Sequence, residues 1–183
     1  MSTIYSDRIA RLREVMAERG WDAVVIYGTD PHSSEYPAAR WKQVEWLTGF
    51  TGEAGDVVVT HDHAGLWTDS RYFIQALEQL EGTGVELHKT RVPGAVNIPE
   101  WLSDRAAVVA IDGLCQSVSA VGDIVAAGCD VVDVPDMLGA LWEDRPDVPA
   151  TPVTTLDVEC FGGVPRIDKI SWLRKWMLLN GYD

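Results

Sequence analysis

Apolar residues near the start of the chain recur at three- and four-residue steps. Ile9, Leu12, Val15 and Met16 share one face, with Arg8, Arg11, Arg13, Glu14 and Glu18 on the other. That period belongs to an amphipathic helix, and Gly20 ends it, because glycine takes the left-handed C-terminal conformation at no steric cost. The pattern then changes to a β-branched run at residues 23–27 with no polar alternation, which marks a strand covered on both faces. Residues 40–47 read as a short helix. Residues 56–60 and 64–68 read as strands separated only by His61-Asp62-His63, and therefore as a hairpin. Asp69 stands at the N-cap position for a helix through Leu80, with Phe73, Ala76, Leu77 and Leu80 directed inward. Further strands at 85–89, 106–111 and 130–134 alternate with helices at 98–103, 118–127 and 136–142. Alternating elements with one hairpin predict a mixed sheet in an α/β sandwich.

The texture changes after Trp142. Asp144 to Pro152 holds three prolines and cannot continue a helix, which predicts a domain over 1–150 and a linker over 151–164. Residues 169–183 then align without gaps on residues 8–22: Ile, Leu, Arg, Met, Gly and Asp coincide, and Tyr182 matches Trp21. In the first copy this helix runs into the strand at 23–27. In the second the sequence stops where that strand would begin. Residues 165–183 are therefore expected to be the first helix of a second, truncated, related domain; a terminal helix packed back on the first domain is the alternative.

Composition narrows the function classes. The 183 residues are 46% apolar and 23% charged, enough to build a core without staples. Against 15 Lys and Arg stand 28 Asp and Glu, a net charge of −13 that repels phosphate backbones and anionic membrane surfaces. No nucleic acid or membrane partner is expected, and no apolar run approaches the ~20 residues of a membrane span. The first eleven residues carry charges and lack a signal peptide's apolar centre. Three cysteines, Cys115, Cys129 and Cys160, have no C-x-x-C spacing, which fits buried thiols in a reducing cytoplasm.

Candidate chemistry is sparse. The loop Thr29-Asp30-Pro31-His32-Ser33-Ser34-Glu35-Tyr36-Pro37 follows the first buried strand, where α/β sheets place ligands, and offers an imidazole, two carboxylates and a phenol. The same residues also make an ordinary Asp-Pro turn. His61-Asp62-His63 has ligand types, yet adjacent residues in a tight turn diverge and no second ligand cluster is evident, so a solvated hairpin tip is expected; His88 alone is equally weak. Gly49-Phe50-Thr51-Gly52-Glu53-Ala54-Gly55 precedes a strand and fits neither phosphate-binding motif, which argues against a nucleotide or flavin site; its glycines are expected to supply positive φ. Arg71 follows the hairpin on the first turn of a helix, where the dipole disfavours a cation. It either clamps a ligand carboxylate or carbonyl, or pairs with Asp69 or Asp30. No nucleophile set and no dinuclear metal constellation is visible.

Four segments occur in a telling order: Thr29 to Tyr36, Gly49 to Gly55, Leu66-Trp67-Thr68-Asp69-Ser70-Arg71-Tyr72-Phe73-Ile74-Gln75-Ala76, and Trp142-Glu143-Asp144-Arg145-Pro146. Together they resemble the N-terminal domain of Xaa-Pro aminopeptidase, in the creatinase/prolidase metallopeptidase superfamily. The resemblance implies a three-layer sandwich on a mixed, about six-stranded sheet with helices on both faces and a ribonuclease H-like motif. It implies a parent enzyme that removes an N-terminal residue preceding proline, with two Mn or Zn ions on Asp, Asp, His, Glu and Glu ligands that would all lie beyond Asp183. No catalytic residue and no metal ligand is then expected within these residues, and the chain alone should be inactive. Arg71 is implied to bind peptide, with Asp30, His32, Glu35, Tyr36, Trp67 and Asp69 as possible lining. The implied roles are substrate access, peptide binding and homodimer contact in a cytoplasmic protein; a stand-alone binding or dimerisation module of the same fold is the alternative. Glu53 and Glu143 replace a serine and a threonine common in the family.

Overall fold

The computed structural model describes residues 3–182, apart from the side chain of Glu159. The chain divides into two compact units, residues 1–148 and 149–183.

The first unit opens with α1 (Ile4–Arg19), started by a capping box in which the Thr3 hydroxyl accepts from the Ser6 N–H, and stopped by Gly20 at φ 70°. Ile9, Leu12 and Met16 of α1 are buried, each burial favouring the fold by roughly 1.5–3 kcal/mol. Then follow β1 (Ala23–Ile26), a 3-10 turn at Ala39–Trp41, α2 (Gln43–Thr48), β2 (Asp56–Thr60), β3 (Ala64–Thr68), α3 (Phe73–Gln79) and β4 (Glu86–Lys89). The unit continues through α4 (Ile98–Ser103), β5 (Val108–Ile111), α5 (Val118–Ala126) and β6 (Asp130–Asp133).

The six strands form one mixed sheet in the order β4-β3-β2-β1-β5-β6. β1 pairs antiparallel with β2 and parallel with β5; β2 and β3 form the antiparallel hairpin; β3–β4 and β5–β6 are parallel. Asp22 fixes one junction, its carboxylate accepting from the N–H groups of Ala107 (3.0 Å) and Val108 (2.8 Å) at the start of β5. Because side chains alternate across a strand, Val24, Ile26, Val57, Val59 and Leu66 pack with α1 and α2 on one face. Val25, Val58, Trp67, Val109 and Ile111 pack with Trp101, Leu102 and Ile124 of α4 and α5 on the other. The result is the three-layer sandwich. The carboxyl ends of β1, β3, β4, β5 and β6 and the start of β2 share one edge of the sheet.

Several expectations needed correction. Asp69 does not cap a helix running to Leu80: α3 starts at Phe73 after Tyr72, with no side-chain cap, because the Asp69 carboxylate is held by Arg71. Of its predicted inward residues Ala76 and Leu80 are buried, Phe73 is half-buried and Leu77 is exposed. Residues 136–142 make successive turns rather than a helix, starting from Asp136 at φ 57°. There Arg145 inserts between Trp41 and Trp142, donates from Nε to the Arg40 carbonyl at 3.0 Å, and pairs with Asp136. In the glycine loop only Gly49 has positive φ; Gly55 and Gly28 are needed for close approach, since a Cβ on Gly28 would lie 2.3 Å from the Gly55 carbonyl oxygen. Cys115 and Cys129 are buried thiols, but Cys160 is exposed.

The second unit comprises α6 (Val158–Phe161), a turn of helix inside the stretch expected to be linker, and α7 (Arg166–Leu179). Among the described residues this unit contains no strand, and Ile167, Ile170, Trp172, Leu173 and Trp176 of α7 are exposed. Asp183, last of the aligned positions, lies outside the described residues. Among the described residues no helix is long and apolar enough to cross a membrane.

Candidate functional site

The shared strand edge gathers most of the candidate residues. Just past β3, Asp69 folds back on its own backbone: its carboxylate accepts from the Arg71 N–H at 3.1 Å and grips the Arg71 guanidinium through Nε at 3.0 Å and a terminal nitrogen at 2.9 Å. This two-pronged pair holds the Asp69 carboxyl down at about 2, chiefly through the hydrogen bonds from Arg71, and raises the Arg71 pKa. The carboxylate is nearly covered, whereas the Arg71 side chain is 61% exposed. Arg71 is thus fixed at its base and presents its outer face to solvent, with Tyr72 5.2 Å beneath it.

The charges around it make one neighbourhood. The Tyr72 hydroxyl lies 3.4 Å from a Glu53 carboxylate oxygen. Glu35 acts on both Arg71 and Tyr36, and together with Glu53 it raises the exposed Tyr36 phenol. Glu35, Tyr36, Trp41, Phe50, Gly52 and Glu53 line a hollow of about 250 Å³ in front of the glycine loop. It is walled by aromatic and acidic groups, with Lys42 as a cation on its lining.

Asp30 plays another part. It is buried, and burial pushes its carboxyl up; hydrogen bonds from Ser34 and His32 outweigh this and leave it low. It shapes the loop and is not the partner of Arg71. His32 sits exposed on that loop. Trp67 turns to the other face of the sheet, donating from Nε1 to the Val96 carbonyl at 3.0 Å and stacking on His88.

Sequence reasoning missed two features. Asp56, which opens β2 beside Gly28, accepts from the Gly28 N–H at 3.1 Å, and burial pushes its carboxyl up to about 6. It lines a second hollow of about 330 Å³ with Tyr27, Thr68, Asp69 and Arg91. An aspartate opening an otherwise apolar strand was the available signal. The second feature is at the opposite end of β3. His61 and Asp62 are exposed as expected of a hairpin tip, but the half-buried ring of His63 turns back over β4 to meet His88 and Trp101. With Glu86 these two histidines are the one group of ligand-type side chains found to converge among the described residues. That group differs from the Asp, Asp, His, Glu and Glu set that the resemblance implies.

Comparison with known proteins bears on the whole first unit. Residues 8–141 match the model of the creatinase/prolidase N-terminal domain family. The chain is 38% identical over 183 residues to a probable Xaa-Pro aminopeptidase P of Metarhizium acridum, covering 93% of this chain and 29% of that protein. It is 34% identical over 169 residues to a Xaa-Pro aminopeptidase of Caenorhabditis elegans, covering 88% of this chain and 27% of that protein. The solved X-prolyl aminopeptidase of C. elegans, described as a cytosolic enzyme with a di-nuclear active site, superposes with a TM-score of 0.78 at 32% identity over 97% of this chain and 31% of its own. The N-terminal domain of a cytoplasmic peptidase from Mycobacterium tuberculosis shares the fold, with a TM-score of 0.54 at 22% identity over 74% of this chain. The chain spans less than a third of the length of the curated relatives it matches.

Proposed function

The chain belongs to the creatinase/prolidase N-terminal domain family, and from that membership we propose that it is the non-catalytic N-terminal domain of a metal-dependent Xaa-Pro aminopeptidase. The observation that carries this reading is the agreement of nearly the whole chain, in sequence and fold, with 27–31% of the C. elegans enzyme's length. Residues 165–183 are read as the opening helix of a second, related domain, on the strength of their alignment with residues 8–22. The two Mn or Zn ions of such an enzyme would supply activated water on ligands outside this chain.

In this reading the domain closes over the catalytic site, admits short peptides and offers Arg71 to them. The exposed outer face of Arg71, held at its base by Asp69, supports that role, because a preset guanidinium donates to a carboxylate or carbonyl without first being ordered. Glu35, Tyr36 and Glu53 would line the approach. Contact between subunits is the second proposed role, and the setting is cytoplasmic, in keeping with the cytosolic relative.

The test has two arms. The 183-residue chain, given a Xaa-Pro peptide and Mn, should show no hydrolysis; turnover would overturn the assignment. In the longer polypeptide that carries the metal ligands, Arg71→Ala should raise KM for Xaa-Pro peptides with a smaller effect on kcat. An unchanged KM removes Arg71 from the site.

A further inference from the structure

We propose that His63, Glu86 and His88 form a binding site for a borderline divalent transition metal, of which zinc(II) is the representative, clipping the edge strand β4 to the β2–β3 turn. This inference is independent of the function proposed above.

Three features of the sheet build the site. Alternation puts His63, Gly65 and Trp67 on one face of the β3 segment and Glu86 and His88 on the same face of β4. The parallel register sets Gly65 opposite Glu86 and Trp67 opposite His88. Gly65 leaves the floor open: a Cβ there would stand 2.7 Å from His88 Cδ2 and 2.8 Å from His63 Nε2. Indoles then fix the rings, with His88 stacked on Trp67 at 3.9 Å and His63 tilted against Trp101 at 4.9 Å.

The resulting geometry is close to that of a chelate. The two Nε2 atoms point at each other across 3.0 Å, with the ring planes at 82°. Two imidazoles on a tetrahedral zinc, with Zn–N of about 2.0–2.1 Å, hold their nitrogens roughly 3.3 Å apart. The pair therefore needs to open by about 0.3 Å and to tilt both Nε2 lone pairs toward a common point beside the line that joins them. A Glu86 carboxylate oxygen lies within 4.8 Å of a ring nitrogen of each histidine, on an exposed, rotatable side chain. Without metal, one imidazole must carry its proton on Nε2 to make the hydrogen bond; on binding, that proton moves to Nδ1 and both Nε2 lone pairs are freed. Two nitrogens and one carboxylate leave a fourth position open toward the surface hollow that Asp62 and Arg105 also line.

Charge decides the class of ion. Glu86 and Asp62 favour a cation, while Arg13 and Arg105 oppose it. With two charges of each sign nearby, affinity has to come from the imidazole donors, which selects zinc, copper or nickel over calcium or magnesium.

The test titrates the metal-free 183-residue chain with zinc(II) against a chromophoric chelator. One equivalent is expected to bind. His63→Gln and His88→Gln should each weaken it by more than the roughly 10–100-fold that loss of an outer-shell partner costs. Glu86→Gln, on an exposed side chain that does not threaten the fold, should weaken it less. His61→Gln and Cys160→Ser should leave it unchanged. Cobalt(II) should give the bands of a four-coordinate nitrogen and oxygen site with no thiolate charge transfer, and zinc should slow amide exchange across β4. Zinc uptake that survives both histidine substitutions, a thiolate band, or no change in exchange at β4 would overturn the proposal.

Discussion

Asp56 and Asp69 are two carboxylates at the same strand edge whose pKa values are driven in opposite directions by their surroundings. Asp56, pushed up to about 6 by burial, starts from an ordinary value near 3.9. A folded-state pKa above the unfolded one favours the fold at low pH, and that advantage is lost as pH rises from about 4 through about 6. Asp56→Asn keeps an acceptor for the Gly28 N–H. It should match the wild type near pH 4 and exceed it by about 1–3 kcal/mol at pH 8 in urea unfolding. Asp69, held at about 2 by Arg71, has the reverse sign: its contribution is present above about 4 and disappears as pH falls through about 2. Because Arg71 is 61% exposed, solvent screens the pair, and Arg71→Ala should cost less than about 1 kcal/mol. The same substitution should move the Asp69 carboxyl titration, followed by carbon NMR, back toward its ordinary range. The pairing of Arg71 with Asp69 was among the options the sequence left open. The place of Asp56 at the head of an apolar strand was legible, but its raised carboxyl was not, because that depends on the fold bringing together Gly28 and Gly55, which are separated by 27 positions in the chain.

At the level of elements, hydrophobic period was a good guide wherever the apolar face decided the structure. Both strands of the hairpin and α1 with its Gly20 stop lie where alternation and helical spacing put them. The failures are segments where a polar side chain was claimed by another side chain whose pairing the hydrophobic pattern does not report. Asp69 could not cap α3 because Arg71 took its carboxylate. Residues 136–142 could not become a helix while Asp136 held φ 57° and received Arg145. Arg145 is the pin of that corner: its side chain is 4% exposed, lies 5.4 Å from the ring centres of both Trp41 and Trp142, and bonds to the Arg40 carbonyl. Removing it leaves a cavity between the indoles and an unmet carbonyl. Arg145→Ala should destabilise the first unit by about 2–4 kcal/mol, less than a fully buried pair because Asp136 is 46% exposed. Arg145→Lys should recover only part of this, since a point charge cannot span the planar slot. Chemical denaturation followed by tryptophan fluorescence reads both. The convergence of His63 with His88 belongs here too: it depends on the parallel β3–β4 register, which neither short motif reveals alone.

For the molecule as a whole, the distribution of the core separates the two units in their stabilities. Every buried residue of both apolar clusters lies between Ile9 and Trp142; α1, α2, α3 and the turns at 136–142 close the first, and α4 and α5 close the second. The sheet therefore draws its stability from residues 1–148. A chain ending at Val148 should keep its circular dichroism in the strand region and shift Tm by less than about 3 °C, an effect below ~1 kcal/mol for a chain of this size. α7 stands differently. Its 14 residues, with Trp172 and Trp176 exposed, are near the length at which an isolated helix is marginal in water, so its order has to come from packing. Amides of residues 166–179 should exchange within seconds in the isolated chain while those of β1 and β5 stay protected. Joined to a partner sheet that covers Ile170, Leu173 and Trp176, the same amides should gain protection by orders of magnitude. Strong protection in the 183-residue chain by itself would instead mean that α7 is already covered, and its likeness to α1 would then carry no second domain.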